Sequence, residues 1–226
     1  MNVIIFGASG YIGQGVLLQS LDHPAVDRVL SVGRRALPLE HHKLQQLVHD
    51  DFEDFEPVAG ELAGFDACFW CLGVSSAGMK EADYARVTVD YTMAAAKVLR
   101  ARCPALCFCF VSGSGTDETG RSRMMWSRVK GRAENALDEL GFPHVFHFRP
   151  AMIKSTRGEN RFGFFTRVLI AMLYPLMRPL GGGTTNTEIG DAMLAAAAGL
   201  CSDKRLTSKH INQLAAKQRA ALAQGT

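Results

Sequence analysis

The sequence predicts a doubly wound α/β fold: a parallel sheet covered by helices on both faces, with a small C-terminal addition over a substrate cleft. Three observations carry that expectation. Short apolar runs alternate with helical patterns along most of the chain, and strands that read as near-continuous hydrophobic runs belong to sheets buried on both sides. Each run stops in a glycine-rich or polar loop: Gly7-Ala8-Ser9-Gly10, Gly33-Arg34-Arg35, Leu72-Gly73, Ser112-Gly113-Ser114-Gly115 or Arg149-Pro150. At 226 residues the chain fits one such domain, spanning 1–226, better than two.

Asn2–Phe6 is a β-rich run halted by Gly7, and residues 11–21 then read as a helix. Residues 28–32 give a second strand and Leu44–Val48 a third, followed by the acidic stretch Asp50-Asp51-Phe52-Glu53-Asp54. A fourth strand covers 66–71. Over 81–102 the period is helical, with Ala85, Val89, Met93, Ala96, Val98 and Leu99 on the apolar side. Residues 106–111 form a fully apolar fifth strand, 127–140 a helix stopped by Gly141, and 144–148 a sixth strand. Ligands of such sheets sit at the carboxyl ends of the strands, and every loop named above falls on that edge.

The composition, 47% hydrophobic and 21% charged with a net charge of +3, is that of a soluble globular protein. It holds no dense basic stripe, so nucleic acid is not an expected partner. The six cysteines lie mostly in apolar runs. Cys107 and Cys109 share a strand face and behave as small hydrophobes, at a spacing unlike structural zinc sites. No metal is expected, and a reducing cytoplasm is the expected compartment. The apolar start at residues 3–6 is too short for a secretory signal. Residues 168–177, broken by Pro175, fall short of the ~20 needed for a transmembrane segment.

Gly7, Gly10 and Gly13 bear the sharpest signal. Placed after the first strand and opening the first helix, with Ser9, Tyr11 and Ile12 among them, they form a Rossmann-type dinucleotide turn. Gly7 permits the tight bend, Gly10 lets the backbone approach a pyrophosphate, and Gly13 lets helix and sheet pack closely. The helix N-terminus offers N–H groups to the phosphates, and Ser9 adds a hydroxyl. The plain alternative is a glycine turn without a ligand. At the end of the second strand, where an acid would hold the ribose of NAD, stand Arg34 and Arg35. They suit the 2′-phosphate of NADP, against the plain reading of two solvated arginines. Asp51 and Phe52 are expected to flank adenine, and Cys71, Leu72 and Gly73 to pass the ribose.

These features resemble the atypical short-chain dehydrogenase/reductase superfamily over roughly residues 1–200. The resemblance rests on the Gly7–Gly13 turn, Gly33-Arg34-Arg35, Cys71-Leu72-Gly73, Val111-Ser112-Gly113-Ser114, Val129-Lys130-Gly131 and Phe148-Arg149-Pro150. Cys71-Leu72-Gly73, Val129-Lys130-Gly131 followed by Glu134, and Phe148-Arg149-Pro150 are most similar to its Tat-interacting-protein branch. The resemblance implies a Ser/Tyr/Lys set, with Lys130 on the nicotinamide ribose, Ser112 (Ser114 the alternative) orienting the carbonyl, and Pro150 beside the cofactor. The tyrosine belongs four residues before Lys130, on the same helical face. That residue is Trp126, whose indole donates a hydrogen bond but does not titrate near neutrality; its plain reading is a packing residue on the nicotinamide side.

In the resembling family residues 151–186 lie over the substrate cleft. Here they bring an apolar stripe with Arg161, Phe162, Phe164, Phe165, Arg167, Val168, Leu169, Met172, Leu173, Tyr174, Leu176 and Met177. A lid for a small apolar substrate, a homodimer face, a membrane-surface helix, and ordinary core or cleft wall all remain open readings. Residues 207–224 read as a polar helical tail. Two functions compete: an NADP-dependent oxidoreductase on a small carbonyl or apolar substrate, and a non-catalytic NADP(H)-binding redox sensor or regulatory interaction protein. A nucleotide-free scaffold is the remote third.

Overall fold

Alternation along the apolar runs is what places the core. In β1 (Asn2–Phe6), Val3 and Ile5 face one way and Ile4 and Phe6 the other, all fully buried. β4 (Ala67–Trp70), β5 (Cys107–Val111) and β6 (His144–Arg149) repeat the pattern. Ala67, Phe69, Cys107, Cys109, Phe146 and Phe148 join one core, and Cys68, Trp70, Phe108, Phe110 and Val145 the other. Successive side chains on a strand point to opposite faces, so both faces must be covered.

A computed structural model of the chain describes residues 1–158 and 164–224. With β2 (Arg28–Gly33), β3 (Leu44–Val48) and β9 (Arg205–Thr207), these strands form a seven-stranded sheet in the order β3-β2-β1-β4-β5-β6-β9, parallel throughout. One face is packed by α1 (Gly13–Asp22), α6 (Asn186–Ala197) and α7 (Ser208–Gln224) through Val16, Leu17, Ile189, Met193, Ile211 and Leu214. The other carries α3 (Tyr91–Arg102) and α4 (Met125–Glu139) through Ala95, Leu99, Ala133 and Leu137. α2 (Glu81–Ala85) runs into α3 through a π-type turn at Arg86–Asp90. The expected doubly wound fold is therefore the observed one.

The C-terminal third departs from the sequence reading. β9 extends the main sheet beside β6, and the expected polar tail is a packed helix whose Ile211, Leu214, Ala215 and Gln218 are buried. Beyond the sheet, β7 (Met152–Lys154) pairs in parallel with β8 (Gly183–Thr185), and α5 (Phe164–Met177) lies between them in the chain. Along α5 and just after it Tyr174 is buried, whereas Met172, Leu176 and Leu180 are 73%, 64% and 76% exposed; at those positions the stripe is not core. Arg161 and Phe162, and the side chains of residues 164–169, lie outside the described residues. Among the described residues no helix is long and apolar enough to cross a membrane.

Two close contacts fix α4 under the edge where the strands end. A Cβ at Gly131 would stand 1.9 Å from the carbonyl oxygen of Asp117, so the loop after β5 lies directly on the helix backbone. One turn on, the fully buried Glu134 carboxylate accepts from one edge of the Arg149 guanidinium, from Nε at 2.9 Å and from Nη2 at 2.5 Å. Arg149 also reaches Glu118 of that loop, and Arg205 of β9 lies 3.5 Å from Glu134. Fully buried His147 completes the cluster against Asp138 at 3.1 Å.

Gly131→Ala is expected to lower stability by about 1–3 kcal/mol in urea unfolding, the usual cost of overpacking, whereas Gly60→Ala, with open space around it, changes little. Glu134→Leu, which removes the buried carboxylate and leaves the Arg149 guanidinium only the exposed Glu118, is expected to cost about 2–4 kcal/mol. The double variant Glu134→Leu/Arg149→Met should recover most of that loss in the same measurement.

Candidate functional site

The strand order reverses between β1 and β4. From β1 the chain moves outward to β2 and β3, then crosses back to β4, so the loops leaving β1 and β4 part and open a crevice at their carboxyl ends. Gly7 sits at φ +78°, and a Cβ there would be 2.6 Å from the amide nitrogen of Leu72. Both the left-handed backbone and the contact require glycine. The Gly10 N–H donates to the Gly7 carbonyl at 2.9 Å, and a Cβ at Gly13 would be 2.1 Å from that same oxygen. α1 then starts with no side-chain cap on Ile12 and no acid in its first turn, which leaves its amino end without a built-in acceptor.

The turn's two large side chains look away from the crevice. Ile12 packs against the α1-side core. The Tyr11 hydroxyl donates to the Ile153 carbonyl at 3.1 Å and accepts from the Ser155 N–H at 2.8 Å; burial raises its pKa above the ordinary phenol value, opposed by the Ser155 bond. Asn186, fully buried at the start of α6, donates to the Tyr11 and Arg157 carbonyls at 3.3 and 2.7 Å and accepts from the Thr156 N–H at 2.9 Å. The turn is thus clamped from outside by β7, its exit loop and α6.

Inside the crevice a cleft of about 470 Å3 is lined by Gly7, Ser9, Gly33, Arg34, Arg35, Phe52 and Leu72, among others. A neighbouring space of about 280 Å3 is bounded by Gly10, Arg34, Asp50, Cys71, Gly73, Val87 and Tyr91. Arg34 and Arg35 are exposed at this rim, and no ion pair or hydrogen bond engages either guanidinium among the described residues. Phe52 is buried edge-on against Phe55, ring centroids 5.4 Å apart. Asp51 accepts from the Glu53 N–H at 2.9 Å and stands one residue off the lining, which Asp50 supplies instead. Burial pushes the Cys71 thiol far up, so it is a neutral wall rather than a nucleophile. Val87 and Tyr91 were not expected to bound the crevice, although Tyr91 is, with Tyr11, one of the nearest phenols by motif position; the π-type turn at Arg86–Asp90 that places them had no sequence signal.

Across β4, the loop after β5 brings Ser112, Trp126 and Lys130 together. Ser112 is buried, its N–H held by the Phe148 carbonyl at 2.7 Å, and Ser114 is held by the buried Pro150's carbonyl at 2.9 Å. The Ser112 hydroxyl lies 2.9 Å from Thr116 Oγ1, which itself donates to the Gly113 carbonyl at 2.8 Å. Lys130 Nζ donates to the Val111 carbonyl at 3.2 Å and stands 5.7 Å from the Phe110 ring centroid. Burial brings its pKa down to about 8, with the Glu134 carboxylate opposing. Trp126, one turn earlier on α4, lays its ring over the loop, 3.4 Å from where a Gly115 Cβ would be, and is half-buried. All six cysteines are free, and no group of three or more His, Cys, Asp or Glu side chains among the described residues is placed to hold a metal.

No family model matches the chain. It is 31% identical over 165 residues to protein HTATIP2 of Rattus norvegicus, covering 72% of this chain and 66% of that protein. It is 26% identical over 211 residues to the mitochondrial protein FMP52 of Eremothecium gossypii, covering 90% and 91%. In fold it is similar to the Bordetella bronchiseptica enzyme WbmH solved with NAD+ (TM-score 0.67, 13% identity, 91% of this chain and 74% of that one). It is equally similar to the UDP-glucose 4-epimerase of Thermotoga maritima (TM-score 0.67, 14% identity, 99% and 83%). The fungal relatives overturn the expected cytoplasmic location, because they are named mitochondrial; free buried thiols report the lack of disulfides and not a particular compartment. Motifs, sheet order and relatives agree: the chain belongs to the atypical short-chain dehydrogenase/reductase superfamily, as a relative of the HTATIP2 branch.

Proposed function

We propose that the protein binds NADP(H) and acts as an oxidoreductase on a small carbonyl or apolar substrate. The observation that carries the cofactor choice is the pair of unengaged guanidinia, Arg34 and Arg35, on the rim of the cleft at the glycine turn. Unpaired arginines facing a cleft suit a phosphate dianion, which they grip in forked hydrogen bonds. The turn from Gly7 to Gly13, with Ser9 and the amino end of α1, then takes the pyrophosphate. Phe52 and Asp50 flank the adenine, and Cys71, Leu72 and Gly73 pass the ribose. At the nicotinamide end Lys130, Ser112, Trp126 and Pro150 form the wall; of the segment expected to cover the substrate, residues 151–186, positions 159–163 lie outside the described residues. When bound, the nicotinamide supplies the redox chemistry, and the chain has to orient it and manage a proton. That the neighbour WbmH was solved with NAD+ supports a nicotinamide dinucleotide in this crevice.

Trp126 favours a second reading, a redox sensor that binds NADP(H) without turnover. Its indole has no hydrogen-bond partner among the described residues and no proton to exchange near neutrality.

Titration with NADPH and NADH is expected to show clear preference for NADPH. Charge-assisted hydrogen bonds of about 1.5–3 kcal/mol make the Arg34→Ala/Arg35→Ala variant about 10- to 100-fold weaker for NADPH, with NADH affinity unchanged. Equal loss for both cofactors would remove the case for NADP. A panel of small aldehydes and ketones assayed with NADPH separates the two functions. Turnover by the wild-type chain excludes the sensor, whereas activity confined to Trp126→Tyr supports it.

A further inference from the structure

Reducing a carbonyl delivers a hydride to carbon and a proton to oxygen, so a group at the site must part with that proton and regain it. Three side chains stand at the end of β5, and two of them are unsuited. The Trp126 indole donates a hydrogen bond but keeps its proton near neutrality. Ser112 has already committed its own. Thr116 Oγ1 and the Gly113 carbonyl oxygen are 2.8 Å apart, a separation that needs a hydrogen between two oxygens, and only the threonine carries one. With that proton spent, the 2.9 Å contact between the two hydroxyls runs from Ser112 to Thr116. Ser112 is therefore left with lone pairs and no donor to offer.

Lys130 differs on each point. Its ammonium has three protons and spends one on the Val111 carbonyl. It stands beside the Phe110 ring and makes no salt bridge among the described residues. The charged group that acts on it is Glu134, one turn further along α4. That carboxylate is itself saturated by Arg149 of β6 and flanked by Arg205 of β9. From β5 the Val111 carbonyl and the Phe110 ring lie against Lys130.

We infer that Lys130 is the proton donor and acceptor of this site, with Ser112 as a hydrogen-bond acceptor and Trp126 as a fixed donor. The inference rests on the oxidoreductase reading above. As the substrate carbon takes a hydride from the cofactor, the carbonyl oxygen takes a proton from Nζ. The N–H bond breaks with its electron pair left on nitrogen, the O–H bond forms, and the amine recovers a proton from water; alcohol oxidation runs the same steps backward. Burial without a counter-ion, which holds the ammonium pKa at about 8, suits such exchange near neutral pH.

Two measurements test it. In the cofactor-free protein, the pH dependence of Lys130 acylation by acetic anhydride, read by mass spectrometry, should have its midpoint near 8; a midpoint at the ordinary lysine value of about 10.4 would overturn the inference. With NADPH and the carbonyl panel, wild-type kcat should fall as pH rises through about 8, because the ammonium is the donor. Lys130→Arg keeps a cation for the cofactor but does not titrate, and should lose about 100-fold or more in kcat with NADPH affinity little changed. Added methylamine should restore part of the kcat of Lys130→Ala. Turnover in Lys130→Arg with an unchanged pH profile would sink the proton role alone and leave the oxidoreductase standing. Absence of wild-type turnover across the panel would sink both, even with Lys130 titrating near 8.

Discussion

No side chain fits between the exits of the first and fourth strands. At Gly7 the backbone of one loop lies on the backbone of the other, with Leu72 N 2.6 Å from where a Cβ would stand. That contact fixes how close β1 and β4 come at their ends, and with it the width of the crevice. It also aims the start of α1, since Gly13 rests on the Gly7 carbonyl in the same way. Because interiors pack at crystal-like density, such backbone contacts are not adjusted by nearby side chains. The rest of the sheet edge is arranged around them.

Much of this was legible because it is local. The glycine turn, the apolar strands and the helix over 81–102 each follow from periodicity or from a short motif. What was illegible is long-range. β9 has three residues, and its place beside β6 depends on backbone pairing that no pattern in Arg205–Thr207 announces. α7 reads as polar because its buried stripe is narrow, with Ile211, Leu214, Ala215 and Gln218 among exposed lysines, glutamines and alanines. The sequence also showed Glu134 and Arg149 as separate motif residues; their meeting in one buried ion pair explains why the two motifs belong together. Among the crevice residues, Arg34, Arg35 and Phe52 came from motif position. Asp50 was missed by one residue, because the end of a strand fixes the path of the chain only to within a residue or so.

The two ends of the crevice are built on different principles. On the β2 side, charge is left uncompensated at the rim, where Arg34 and Arg35 face solvent. On the β5 side the serine loop itself is pre-ordered: its backbone is clipped by the Phe148 and Pro150 carbonyls, and its hydroxyls form a chain to Gly113. An open, charged end favours fast capture of an anion. A pre-ordered end restricts what approaches it and costs little reorganisation once the crevice is filled.

The clamp on the glycine turn has a kinetic consequence. Tyr11 meets Ile153 and Ser155, and Asn186 meets Tyr11, so the turn near the amino end is held by segments from the far end of the chain. Contacts of such sequence separation form late, since the intervening loop must be closed before they contribute. During synthesis the first strands and α1 emerge well before Asn186 exists to brace them. The most recognisable motif in the sequence therefore gains its outer brace only once residues 153–186 are in place.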